Sequence, residues 1–305
     1  MASSTITGPL FDGSTNETLR STLPEPVIAF LEVATHLGDG VTLIVLATLL
    51  YWFGAESRRR TRALVIAIGL AALAISAGLK GIVASPRPEL AFTPAGYPGY
   101  SFPSAHALGA AAFYGALAAV STIGTRRQRF AIAGAIVGTV ALSRVVIGVH
   151  YLGDVIAGVA LGLALVAVVL MTDDRDPGIV FATAIPIAIG AFLLGSQEFT
   201  TLTIGAGIGA TVAWLVVKDR HWNPYGASML VLGVFCLPVV VTFRVVSFEI
   251  GFHWTVEIVS YAVATGAIIL VPAVAHRLNG WFVVECLQSR LPFRGRTIDP
   301  EKLSR

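Results

Sequence analysis

The sequence predicts an all-α polytopic membrane protein, a helical bundle of about nine transmembrane spans preceded by a short interfacial helix. Three observations carry this. Hydrophobic residues fill 55% of the 305 positions and charged residues only 13%, against about 25% charged in a soluble domain. The mean hydropathy is +0.78. The charges fall in short clusters, and the apolar stretches between them are long enough to cross about 30 Å of hydrocarbon at about 1.5 Å per helical residue. Glycine, at 31 positions, is scattered inside these runs, where small residues let helices pack closely in a bilayer.

Residues 1–23 are polar and rich in Ser and Thr. They lack the charged start and apolar core of a signal peptide and read as a tail. Residues 24–37 read as an amphipathic helix too short to span, because Glu32 and His36 interrupt its apolar character; it is expected to lie at the interface. The spans follow at approximately 38–54, 62–84, 104–123, 128–148, 152–171, 178–195, 200–217, 226–246 and 255–275. Tyr51, Trp52, Trp222, Trp254 and Trp281 fit interfacial aromatic belts. Gly205 and Gly209 fall four apart in an apolar span with no strand before them, so they read as a helix-packing face and not as a nucleotide loop.

Orientation follows from the basic residues. Arg58, Arg59, Arg60 and Arg62, Arg126, Arg127 and Arg129, Arg175, Lys218 and Arg220, and the tail from Arg277 onward place 16 on one side; Arg20, Lys80, Arg87, Arg144 and Arg244 make 5 on the other. The positive-inside rule makes the first side cytoplasmic. The N-terminus and the loops 85–103, 149–151, 196–199 and 247–254 then face out, and the 276–305 tail faces in. A sequon, Asn16-Glu17-Thr18, falls on the outer side, where glycosylation could occur. Cys236 and Cys286 have no C-x-x-C spacing and no reason to pair. No nucleic-acid motif or long basic patch appears.

The chemistry collects on that outer side. Lys80 ends the second span and Arg87-Pro88 follows; Pro103-Ser104-Ala105-His106 opens the third span; Ser143-Arg144 ends the fourth, with His150 and Asp154 beyond it. Three positive charges gathered at one membrane face are costly unless an anion lies between them. Arginine's fork matches phosphate oxygens and lysine adds a point charge. Ser104 and the first amides of its helix add donors at an end that favours anions. His106 lies in that first turn. His150 and Asp154 are four apart and share a helix face, and a carboxylate on one imidazole nitrogen makes the other a better nucleophile. Snorkelling bases and helix caps are the plainer reading, but they leave two histidines and an aspartate unexplained.

K-x6-RP, PS-x-H and SR-x5-H-x3-D, in this order over residues 80–154, resemble the motifs of the type-2 phosphatidic acid phosphatase family, which shares its site with the vanadium haloperoxidases. The four fixed letters of the third motif alone would arise at a given position with a chance on the order of 10⁻⁵. The resemblance implies a membrane phosphatase core over 24–171 and a metal-independent, cofactor-free hydrolase of lipid phosphates or diphosphates, of the phosphatidate or polyprenyl diphosphate type. It implies that His150 attacks phosphorus to give a phosphohistidine, that Asp154 orients His150, and that His106 protonates the leaving oxygen. Lys80, Arg87, Ser104, Ala105 and Arg144 would hold the phosphoryl oxygens. The family's second motif usually has glycine where Ala105 stands; alanine keeps the backbone N–H but would be strained at positive φ.

The expected setting is the cell membrane, multi-pass, with the active site extracytoplasmic and reached laterally by a lipid. The alternatives are a lipid phosphotransferase, which differs only in the acceptor, a haloperoxidase, whose known members are soluble, and a non-catalytic lipid-binding or transport protein, which would not need the two histidines and the aspartate. Residues 172–275 form a four-span extension in which no chemistry is apparent; packing a homo-oligomer, shaping lipid access and contacting another protein all stay open. Asp39, in Leu37-Gly38-Asp39-Gly40, reads as a cap of the first span. Glu249, His253 and Glu257 have metal-like spacing but read as a helix-end cluster, and His36, His221 and His276 read as interface residues.

Overall fold

Apolar runs in a bilayer must satisfy their own backbone, and helices are how this chain does so. The computed structural model describes residues 8–54, 56–94, 97, 99–172, 175–194, 199–235 and 253–291, and among them there is no strand. The helices are α1 Ser14–Thr22, α2 Glu25–Ala34, α3 Gly40–Phe53, α4 Arg59–Val83, α5 Ala105–Val120 and α6 Arg126–Val146, then α7 Leu152–Met171, α8 Pro177–Leu193, α9 Thr200–Val217, α10 Gly226–Phe235, α11 Trp254–Arg277 and α12 Phe282–Arg290. Helices α4, α6, α7, α9 and α11 are long and apolar enough to span. Helices α2 and α3, bent by 54° where they meet, pass that test only as one broken span, so among the described residues length and composition give five or six candidate spans, against the nine expected. Helices α5, α8 and α10 are apolar but shorter. Helix α5 runs from Ala105 only to Val120, three residues before the expected end at 123. Residues 236–246 of the expected eighth span, with Cys236 and Arg244, lie outside the described residues.

The expected interfacial helix is α2, continued by a 3-10 turn over Thr35–Gly38. It is held onto the bundle: Ile28 and Leu31 are buried with Val146 of α6. Gly38 makes the bend tight, since a Cβ there would stand 2.6 Å from Val140 Cγ1 and 3.2 Å from the carbonyl oxygen of His106. The N-terminal stretch is more ordered than its polar composition suggests. Helix α1 lies against α6, and Asn16 is fully buried, its Nδ2 donating to the carbonyls of Val145 at 2.8 Å and His150 at 2.9 Å. The sequon's asparagine is therefore an internal clasp in this fold and not an accessible glycosylation site.

Two glycine pairs set the closest helix approaches. On α7, a Cβ at Gly158 would lie 2.7 Å from the carbonyl oxygen of Ser104, and one at Gly162 would lie 2.6 Å from that of Leu108. Backbone-to-backbone packing of this kind draws α7 onto α5 and fixes Asp154, one turn before Gly158, beside Ser104. In the extension, Cβ atoms at Gly205 and Gly209 would collide with the carbonyl oxygens of Ile258 and Ala262, so the small-residue face seats α9 on α11. Helix α8 packs on α4 through Ala184, Ala188 and Ala74. Tyr51 and Trp52 differ from the belt reading: both are buried and donate to the carbonyls of Ile269 at 3.1 Å and Ile268 at 2.9 Å, joining α3 to α11. Trp222 is buried as well, whereas Trp254 and Trp281 are exposed.

Candidate active site

Three chain reversals bring the motifs together. Helix α4 ends at Ala84, whose left-handed φ of +48° turns the chain while its N–H bonds the carbonyl of Lys80 at 2.9 Å. This returns Arg87 toward the bundle. The loop comes back to α5 with Ser101 N–H bonded to the Ser85 carbonyl at 2.9 Å and a cis peptide at Phe102–Pro103. Ser104 then caps α5 in an extended conformation, and its N–H bonds the Asp154 carbonyl at 3.1 Å. Beyond α6, Gly148 takes φ +83°, with Phe92 and Thr93 packed where a side chain would be. The turn presents His150 inward and starts α7, where Asp154 Oδ2 accepts the Tyr151 N–H at 2.9 Å.

These reversals gather all the motif residues at one end of the bundle. Lys80, Ser104, Arg144, His150 and Asp154 are buried there, with His106 at their edge. His150 Nδ1 stands 3.5 Å from Asp154 Oδ2 and 3.4 Å from Ser101 Oγ, and Ser101 also donates a short bond to Asp154 Oδ2. On the ring's other side, Arg87 Nη1 lies 3.2 Å from Nε2 and 2.8 Å from the Val149 carbonyl. A guanidinium can only donate. Nε2 therefore carries the lone pair, and the proton sits on Nδ1, facing the carboxylate. Burial, then the charges of Arg87, Arg144 and Lys80, push this imidazole well below its ordinary pKa, which keeps it neutral and nucleophilic.

Arg144 donates from Nη1 to Thr35 Oγ1 at 2.9 Å and from Nη2 to the Tyr97 hydroxyl at 2.7 Å. Tyr97 also lies under Arg87, whose Cζ is 4.7 Å from the ring centroid. Arg144 Nε, Ser104 Oγ and Asp154 Oδ1 are buried without a hydrogen-bond partner among the described residues. Arginine and serine donors held this way suit a tetrahedral oxyanion. Ala105 opens α5 with helical geometry and is absent from the positive-φ residues, so the methyl group in place of glycine imposes no backbone strain.

Five neighbours of the site were not assigned to it by motif spacing: Asn16, Thr35, Asp39, Tyr97 and Ser101. Asp39, read as a cap, instead contacts His106, its Oδ1 2.5 Å from Nε2. Ser101 had a visible signal, lying three residues before Ser104 in the same stretch; Tyr97 and Asn16 reach the site only through loop and tail paths. Elsewhere, His253 caps α11 by accepting from Thr255 N–H, Glu257 accepts from Thr201 at 2.9 Å, and Glu249 lies outside the described residues. His276 faces the Asn223 carbonyl at 3.2 Å.

Residues 60–176 match the family model of the PAP2 superfamily. A crystal structure of a transmembrane PAP2-type phosphatidylglycerolphosphate phosphatase from Bacillus subtilis is similar at 24% identity and TM-score 0.46, over 53% of this chain and 84% of that one. No curated protein matches the chain.

Proposed function

We propose that the chain, whose residues 60–176 match the family model of the PAP2 superfamily, is a membrane phosphatase that hydrolyses a lipid phosphate or diphosphate. The observation that carries this is the pairing at His150: a carboxylate behind Nδ1 and the Arg87 guanidinium at Nε2. That places a neutral nucleophile where a phosphoryl group would be held. In the reaction, phosphoryl oxygens draw Arg87 off the lone pair and bind it together with Lys80, Arg144, the Ser104 hydroxyl and the Ala105 amide. Nε2 attacks phosphorus as the bond to the leaving oxygen breaks, and His106 gives that oxygen a proton. Asp154 stabilises the positive charge that develops on His150. Water then attacks the phosphohistidine, returns its proton to His106 and releases phosphate.

The catalytic unit in this reading is 24–171, because the α2–α3 bend supplies Thr35 to Arg144 and Asp39 to His106. The site faces the extracytoplasmic side of the cell membrane, since the 16 basic residues of the other side favour the cytoplasm, and a lipid reaches it laterally. Among the described residues, the extension 172–275 packs against the core and supplies none of the site contacts given above; a homo-oligomer formed through it fits this arrangement. A panel of phosphatidate, a polyprenyl diphosphate and a soluble alkyl phosphate, given to purified protein in detergent, tests the reading. Release of inorganic phosphate from a lipid ester is expected. Transfer of phosphate to a second lipid without release would make the chain a phosphotransferase, and binding without turnover would make it a lipid-binding protein.

A further inference from the structure

A second carboxylate faces the site from outside the matched segment. Asp39 stands at the N-cap of α3, where an aspartate ordinarily accepts an amide of the first helical turn. Here the side chain makes no cap bond. Both oxygens are engaged by imidazoles instead: Oδ1 lies 2.5 Å from His106 Nε2, and Oδ2 lies 2.6 Å from His36 Nδ1. Exposure rises along this line, from 20% at the His106 side chain to 33% at Asp39 and 68% at His36. The tight passage of Gly38 against α5 makes the contact reachable, because a side chain there would hold the bend away from His106.

We infer that Asp39 is the positioning residue of His106 and that His36, on the other carboxylate oxygen, holds Asp39 in place for that role. The inference rests on the reading of His106 as the general acid. Asp39 holds the imidazolium by one nitrogen, which fixes the ring and stabilises its charge. The other nitrogen gives its proton to the leaving oxygen as the P–O bond breaks. His106 is then neutral, its remaining N–H on the carboxylate, and Asp39 stays ionised throughout. Water attacking the phosphohistidine returns a proton to the free nitrogen, while His36 keeps its contact with Asp39. The competing role is a structural pin that fastens the bend to α5, and it would act on every substrate equally.

Leaving groups separate the two roles. An alkyl alcohol needs protonation as it departs and a nitrophenolate does not. Full-length protein carrying Asp39→Asn, Asp39→Glu or His36→Gln is assayed in detergent on phosphatidate and on p-nitrophenyl phosphate. Asp39→Asn should lose kcat on phosphatidate by about 10²-fold, and on the nitrophenyl ester by no more than about threefold; turnover of the latter also shows that the variant is folded. Asp39→Glu should recover part of the loss, His36→Gln should show a smaller loss confined to phosphatidate, and Asp39→Asn should add nothing once His106 is alanine. Equal losses on both esters, or a further loss in the His106→Ala background, would make Asp39 a pin. Full activity of Asp39→Asn would overturn this inference alone. A wild-type protein that turns over neither ester would overturn the phosphatase reading and this inference with it.

Discussion

Replacing Gly158 with alanine should damage the site without touching any polar group in it. The added methyl would lie 2.7 Å from the Ser104 carbonyl oxygen, with Ala107 Cβ and Leu108 N both at 3.2 Å. The oxygen belongs to the backbone of α5 and cannot swing aside, so α7 must move away by about 0.5 Å to reach ordinary contact. Such overpacking costs about 1–3 kcal/mol. Alanine's better helix propensity returns at most about 1 kcal/mol, so the net effect is destabilising. The Ser104 N–H to Asp154 carbonyl bond, now 3.1 Å, spans the same gap and would stretch. As a 1 Å displacement in an active site can reduce a rate by about 10²-fold, half of that predicts a fall in kcat on the order of tenfold. Thermal unfolding in detergent and turnover of a lipid phosphate measure the two effects. Gly69→Ala and Gly138→Ala are the controls, because nothing lies within 4 Å of a Cβ at either position; both should be neutral or stabilised. A Gly158→Ala protein as stable and as active as the Gly138→Ala protein would refute the reasoning.

Other substitutions test neighbouring contacts. Ser101→Ala removes a buried hydroxyl that donates to Asp154 and faces His150 Nδ1; a lost bond to a charged acceptor is worth about 1.5–3 kcal/mol, so kcat should fall by about 10–100-fold with KM little changed, and an unchanged kcat would remove Ser101 from the relay. Asn16→Ala leaves the Val145 and His150 carbonyls without their side-chain donor and should lower thermal stability by about 1–3 kcal/mol; expression in a glycosylating host should give wild-type protein with no glycan at this position. His106→Ala should lose about 10²–10⁴-fold on a lipid monophosphate but far less on nitrophenyl phosphate, while His150→Ala abolishes both; the same substrate dependence for the two variants would mean that nucleophile and acid are wrongly assigned.

Much of the candidate site was legible because its residues sit at fixed spacing next to helix ends. His150 and Asp154 share a face through four-residue periodicity, and Lys80, Ser104 and Arg144 stood out as polar residues in apolar company. The contacts that were not legible depend on where loops and bends travel. Ser101 enters because the chain turns at Ala84 and returns beside Ser85, and Asn16 enters because α1 folds back onto α6. Asp39 was read as a cap from its place before an apolar run; only the 54° bend shows that its oxygens face His106 and His36 instead. Tyr51 and Trp52 looked like belt residues because belts and interhelical clamps use the same amphipathic side chains; the partner carbonyls lie more than 200 positions away. Of the nine expected spans, α5 and α8 are apolar helices shorter than the others, and the eighth continues past Phe235 into residues outside the described ones.

The central claim is that His150 Nε2 becomes covalently bound to phosphorus. Purified protein is mixed with a lipid phosphate labelled with ³²P, quenched in alkali within milliseconds to seconds, and digested for peptide mapping under conditions that preserve phosphohistidine. Label is expected on the peptide containing His150, transient in wild type and absent from His150→Ala. Label on His106, or single-turnover release of phosphate with no labelled peptide at any quench time, would contradict it.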